Sequence, residues 1–95
     1  MTLWSACPEG RFRFKEWDDD DAVAYDLLGG DTHVVDTLAM ELLYLLRQRP
    51  AQSVQELVTD LREVFAEAPD DEIARRIEVG LSRLKVIGLA AADPA

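Results

Sequence analysis

Ninety-five residues, 48% apolar and 31% charged, make one small globular domain and exclude both a disordered chain and a pair of packed cores. Nineteen acids against ten bases leave a net charge of −9, which argues against a general nucleic-acid binder. The longest apolar run, Leu42 to Leu46, is too short to cross a bilayer, and the N-terminus lacks the basic patch and apolar stretch of a secretory signal. A single cysteine, Cys7, excludes an internal disulfide framework and a multi-cysteine metal site, so a reducing, cytoplasmic setting is expected.

The first third of the chain reads as strands. Leu3 and Trp4 suggest a short opening strand, broken off by Pro8-Glu9-Gly10. Arg11-Phe12-Arg13-Phe14-Lys15 alternates, which predicts both phenylalanines on one face and three bases on the other. Asp18 to Asp21 interrupts the pattern as a turn. Ala22 to Leu27 follows as a second strand, with Val23, Tyr25 and Leu27 sharing a face. Gly29-Gly30-Asp31 offers the positive-φ positions of a tight hairpin, and the β-branched Thr32-His33-Val34-Val35 returns as a third strand.

From Asp36 the period becomes helical. Asp36 is placed to cap a first helix whose apolar face holds Leu38, Leu42, Leu45 and Leu46, and which ends before Pro50 with Arg47 and Arg49 near its negative pole. Ser53-Val54-Gln55-Glu56 is a capping box that opens a second helix. Its stripe is Val54, Leu57, Val58, Leu61, Val64 and Phe65, closed by Ala68-Pro69. Asp70 is expected to cap a third helix with the stripe Ile73, Ile77, Gly80, Leu81, Leu84 and Ile87. Gly88 is its left-handed stop, Leu89 folds back beyond it, and the residues after Ala92 are expected to fray. The fold class is therefore α+β: an antiparallel sheet of about three strands, then three helices that cover one of its faces.

Few residues carry reactive chemistry. An EF-hand alternates its acids and places glycine sixth, whereas the four consecutive aspartates diverge from one another and suit a solvated turn. His33 has no neighbouring nucleophile motif, and Cys7 lies on another segment without an activating helix terminus, so the triad logic of a catalytic site is missing. One histidine and one cysteine cannot supply the all-Cys/His set of a structural zinc site in a single chain, and no metal is expected. No enzymatic activity and no cofactor are expected.

The third helix is more informative. Beside its core stripe runs a flank of Arg75, Arg76, Val79, Arg83 and Val86, with Ala74, Glu78, Ser82 and Lys85 on the opposite flank. Between Ile73 and Gly88 four bases stand against one acid, a local reversal of sign in an acidic chain. Such a face is often merely solvated and laced with pairs such as Glu72 to Arg76 or Arg75 to Glu78. The two valines among its charges make a docking surface the alternative, since burying them needs a partner.

The stretch Gly30-Asp31-Thr32-His33-Val34-Val35-Asp36-Thr37-Leu38-Ala39 resembles the strand-to-helix junction of the PqqD-like family, and its Gly-Asp-Thr-His wording resembles the subgroup associated with a kinase related to the HPr kinase. Trp4 and Trp17 around the first strand, the Ser-Val-Gln-Glu-Leu second helix and the final Leu84-Lys85-Val86-Ile87-Gly88-Leu89 agree in order, so the likeness spans nearly the whole chain. Where that family commonly has Asn after the third strand, this chain has Asp36, which caps a helix equally well. The resemblance implies a winged-helix-like domain without chemistry of its own. It would bind the leader of a ribosomally made precursor peptide and deliver it to a modifying enzyme, of the radical S-adenosylmethionine type or an HPr-kinase-related protein.

Two other functions compete. Helices at 53–68 and 70–87 could form a helix-turn-helix with Arg75, Arg76, Arg83 and Lys85 on DNA, although the surrounding acid opposes association. The chain could also serve as a structural partner in a larger complex. For the peptide reading, the expected site is the third strand (Thr32, His33, Val34) together with Arg76, Val79, Arg83 and Val86. Neither nucleic acid nor membrane is an expected partner. An edge strand supplies backbone pairing to an extended segment, and the flank of the third helix supplies specificity toward a peptide alternating apolar and acidic residues.

Overall fold

The computed structural model describes residues 2–8, 10–16, 21–49 and 51–94. Glu9, Trp17, Asp18 to Asp20 and Pro50 lie outside the described residues, and with them most of the expected acidic turn and the proline stop. The elements run β1 (Thr2–Ala6), β2 (Phe12–Glu16), β3 (Asp21–Asp26), β4 (Thr32–Asp36), α1 (Thr37–Gln48), α2 (Val54–Leu61), α3 (Asp70–Ile87) and β5 (Ala90–Pro94). The fold is α+β, as the pattern of periods implies. Strands β2, β3 and β4 form one antiparallel sheet in that spatial order. Strands β1 and β5 pair antiparallel as a second sheet, from Thr2 opposite Pro94 to Ala6 opposite Ala90. Asp93 and Pro94, in the stretch expected to fray, stand instead in a ladder opposite Leu3 and Thr2. An alanine-rich strand has no local signal strong enough to announce it; its partner lies at the far end of the chain.

Alternation in β2 places Phe12 and Phe14 against the core, with Arg13 and Lys15 exposed on the other face. Arg11 departs from the expected row of three bases. Its guanidinium lies 5.1 Å from the centroid of the Phe12 ring and pairs with Asp26 at 3.2 Å. In β3 the residues sharing the phenylalanine face are Ala22, Ala24 and Asp26, because Phe12 stands opposite Asp26 and Phe14 opposite Ala24. Val23 and Tyr25 share the outer face, and Leu27 has already left the strand for the exposed turn. Small alanines inside let the helices approach the sheet closely.

Asp26 closes the β3–β4 hairpin. Its Oδ1 accepts from the N–H groups of Leu28 (3.0 Å) and Gly29 (3.1 Å), and of the two glycines only Gly30 takes a positive φ, at 80°. The hydrogen bond from Arg11, followed by those from the backbone, holds the Asp26 carboxyl below the usual carboxylate range. A group whose folded pKa is depressed stabilises the fold above its unfolded pKa, about 4, and that contribution vanishes as pH falls through the folded value. Asp26→Asn is therefore expected to melt below wild type at neutral pH, with the two melting temperatures converging as the buffer is taken below about pH 4. Parallel curves from neutral to acid pH would show that Asp26 does not contribute in this way.

The helix caps follow the local chemistry. Asp36 Oδ1 accepts from the Ala39 N–H at 2.8 Å, and Ser53 and Glu56 form the complete capping box. At the end of α3, Gly88 (φ 100°) donates to Lys85 and Leu89 donates to Leu84, a Schellman closure that buries Leu89. Two expectations are corrected. The cap of α3 is Pro69, whose carbonyl accepts from Glu72 and Ile73, while Asp70 forms the first helical residue and pairs with Arg62 at 2.8 Å. Proline's restricted φ suits the entry to the helix, and the Glu72 N–H also donates to Asp71 Oδ1 at 3.1 Å. Helix α2 stops at Leu61, where the one carbonyl accepts from both Val64 and Phe65 and the chain continues as turns to Glu67. Val64 consequently turns to solvent, 66% exposed, and Phe65 alone reaches the core margin.

Leu42, Leu43 and Leu46 of α1, Leu57, Val58 and Leu61 of α2, and Ile73, Ile77, Leu81 and Leu84 of α3 meet Phe12, Ala24 and Val35 in one core. Leu38 and Leu45, expected on the α1 stripe, are half-buried, while Ala39 and Leu43 complete it. Gly80 faces α1: a Cβ there would stand 2.8 Å from Leu42 Cδ1. The absent side chain sets how closely α1 and α3 approach. Gln52 is fully buried between these elements, its backbone exchanging both hydrogen bonds with Trp4 and its side chain bonded to Arg49 and to the Leu45 carbonyl. Among the described residues no helix is long and apolar enough to cross a membrane.

Candidate functional site

A groove of about 840 Å³ runs between β4 and α3. Val34, Val35 and Asp36 of β4, with Leu38 and Ala39 of α1, line one side; Arg75, Arg76, Val79, Arg83 and Val86 line the other. The lining is mostly apolar, with Val34 63%, Val79 50% and Val86 87% exposed. A sheet edge and a helix thus face each other across uncovered apolar surface, at the place where the acidic chain carries its basic flank.

The backbone of β4 has a defined polarity. The Asp26 N–H donates to the Asp31 carbonyl and the Leu27 N–H to the Arg11 carbonyl, which sets the parity of both ladders. With Ala24 opposite His33 and Ala22 opposite Val35, antiparallel alternation directs the backbone groups of His33 and Val35 toward β3. It turns the N–H and C=O of Thr32 and Val34 toward the free edge of β4. Among the described residues no strand occupies that edge, so no strand pairs with these outward groups.

Five of the seven residues expected from sequence come together here: Val34, Arg76, Val79, Arg83 and Val86. Thr32 lies farther along the same edge, and the side chain of His33 shares the inner face with Ala24, half-buried and outside the groove lining. Glu78 and Ser82, assigned from sequence to the far flank, line the rim as well, since they adjoin Arg75 on the helical surface. Asp36, which the sequence identifies as a helix cap, and Leu38, from the expected core stripe, also line the groove, as do Ala39, Gly80, Leu84 and Ile87.

The charges are partly committed. Arg76 pairs with Glu72 at 3.1 Å and lies 5.5 Å from the Phe65 ring centroid, the intrahelical contact expected of a solvated face. Arg83 reaches across to Asp36, Nη1 to Oδ2 at 3.8 Å. Such an arrangement can hold an extended polymer by its backbone and read alternate side chains. Among the described residues no three His, Cys, Asp or Glu side chains are grouped to hold a metal ion. Comparison of the chain with protein-family models, with curated proteins and with solved structures finds no match.

Proposed function

We propose that this chain is a non-catalytic peptide-binding module, similar to the PqqD-like family, that captures the leader segment of a ribosomally made precursor peptide and presents it to a modifying enzyme. The observation that carries this reading is the juxtaposition of a strand edge, unpaired among the described residues, with an apolar, arginine-rimmed helix face across one groove. An extended segment added beside β4 would pair with the backbone of Thr32 and Val34, independent of its side chains. Every second side chain would fall between β4 and α3, onto Leu38, Val79 and Val86, with the arginines at the rim favouring acidic neighbours.

An amide chemical-shift titration with a candidate leader peptide, encoded beside this chain's own reading frame, tests the proposal. Shifts are expected in residues 32–36 and 76–86; shifts confined to the exposed face of α1 would overturn it. Arg83→Glu is expected to weaken binding about fivefold, because it sets a like charge, worth about 1 kcal/mol at an exposed site, against the acidic peptide. A measurable complex with random duplex DNA at moderate salt would instead favour the helix-turn-helix use of α2 and α3.

A further inference from the structure

We propose that Asp36 sets the charge selectivity of the groove by competing with an acidic ligand for Arg83. This inference rests on the peptide-binding reading above and adds a role to a residue that sequence identifies only as a helix cap. The two carboxylate oxygens of Asp36 are divided between two tasks. Oδ1 accepts the Ala39 N–H at 2.8 Å and so closes the first turn of α1, while Oδ2 faces Arg83 Nη1 at 3.8 Å. Both side chains line the groove, and both are exposed, so the pair is an open one that a ligand can reach.

The neighbouring bases make Arg83 the important one. Arg76 is held by Glu72 on its own helix and by the Phe65 ring, outside the β4 wall. Arg83 lines the groove with Arg75 and Arg76, and among the described residues it is the one paired with Asp36 at the end of β4, beside the edge where an added strand would lie. For an acidic side chain to pair with Arg83 it must take the place of Asp36, and it does so beside a carboxylate that repels it. Binding of an acid is then an exchange of one ion pair for another, with little net gain of charge pairing. Asp36 also lowers the positive potential that would otherwise attract any anion, so weakly matched acidic ligands are rejected.

Asparagine at this position separates the two tasks. Its side-chain carbonyl can accept the Ala39 N–H as well as aspartate does, so the cap and the fold are retained. Its amide carries no charge and presents donors where Oδ2 stood. Two short dye-labelled peptides serve as probes, one alternating valine with glutamate and one alternating valine with lysine. Asp36→Asn is expected to bind the glutamate peptide about three- to fivefold more tightly than wild type, the range of an exposed ion pair, and the lysine peptide no more tightly. The affinity of the variant for the glutamate peptide is also expected to fall more steeply with added salt, since it forms a new pair where wild type exchanges one.

Wild type that binds the glutamate peptide, with a variant of unchanged preference between the two probes, overturns the role of Asp36 alone. Equal tightening toward both peptides overturns it too, because a selectivity device must discriminate. Wild type that binds neither peptide removes the peptide-binding reading, and this role of Asp36 falls with it. A melting temperature of Asp36→Asn close to that of wild type confirms that the comparison is made between folded proteins.

Discussion

Replacing Leu42 by alanine is expected to destabilise the protein by about 2–5 kcal/mol, the range for removing a large aliphatic side chain from a closed core. Leu42 is 0% exposed and meets α3 at Gly80, where the helices approach so closely that a methyl group would stand 2.8 Å from it. The lost side chain therefore empties the junction between α1 and α3, and the rigid walls of Leu81, Leu84 and Ile77 can refill it only in part. A domain of this size has roughly 5–15 kcal/mol of total stability, so the change consumes a large share of it. Urea unfolding followed by circular dichroism measures the loss. A midpoint equal to that of wild type would show that the α1–α3 contact is not where the stability resides. The same junction supplies an internal control: Gly80→Ala, which overpacks the native contact, should be better tolerated in the Leu42→Ala background, where the space is vacant.

Val34→Pro is expected to abolish strand addition while leaving the sheet folded. Proline in a strand normally removes a ladder hydrogen bond. Here the N–H of Val34 faces the free edge and takes no part in the β3–β4 ladder, so the substitution removes only the donor that an incoming peptide would use. The loss of one backbone hydrogen bond, about 1 kcal/mol net, and the collision of the ring with an added strand should weaken peptide binding by at least tenfold, at about 1.4 kcal/mol per decade. Thr32→Ala, which leaves the backbone intact, should bind as wild type does. The measurement is a peptide titration on each variant, with an amide spectrum to report the fold. A folded Val34→Pro that binds normally would exclude pairing at this edge.

Local chemistry was legible in the sequence because its partners lie within a few residues. The Asp36 cap, the capping box of Ser53 and Glu56, and the Gly88 closure each satisfy backbone groups three to five positions away, and each appears as read. The alternation of Phe12 and Phe14 and the stripe from Ile73 to Leu84 likewise identify buried faces from spacing alone. The arginine and valine flank of α3 could be named for the same reason, a helix surface being a fixed function of residue number.

Tertiary structure decided what depends on distant partners. The β1–β5 sheet joins the two ends of the chain, so nothing near Ala90 foretells it. The inner face of β3 went to Ala22 and Ala24 rather than to Val23 and Tyr25 because the register with β2 and the space beneath the helices outweigh the hydrophobicity of single residues. Gln52 is buried because Trp4, Arg49 and the Leu45 carbonyl satisfy it. The groove is of the same kind. Sequence names the residues on its two walls, but the free edge, the outward N–H of Val34 and the meeting of Arg83 with Asp36 exist only once β4 and α3 are held apart by a shared core.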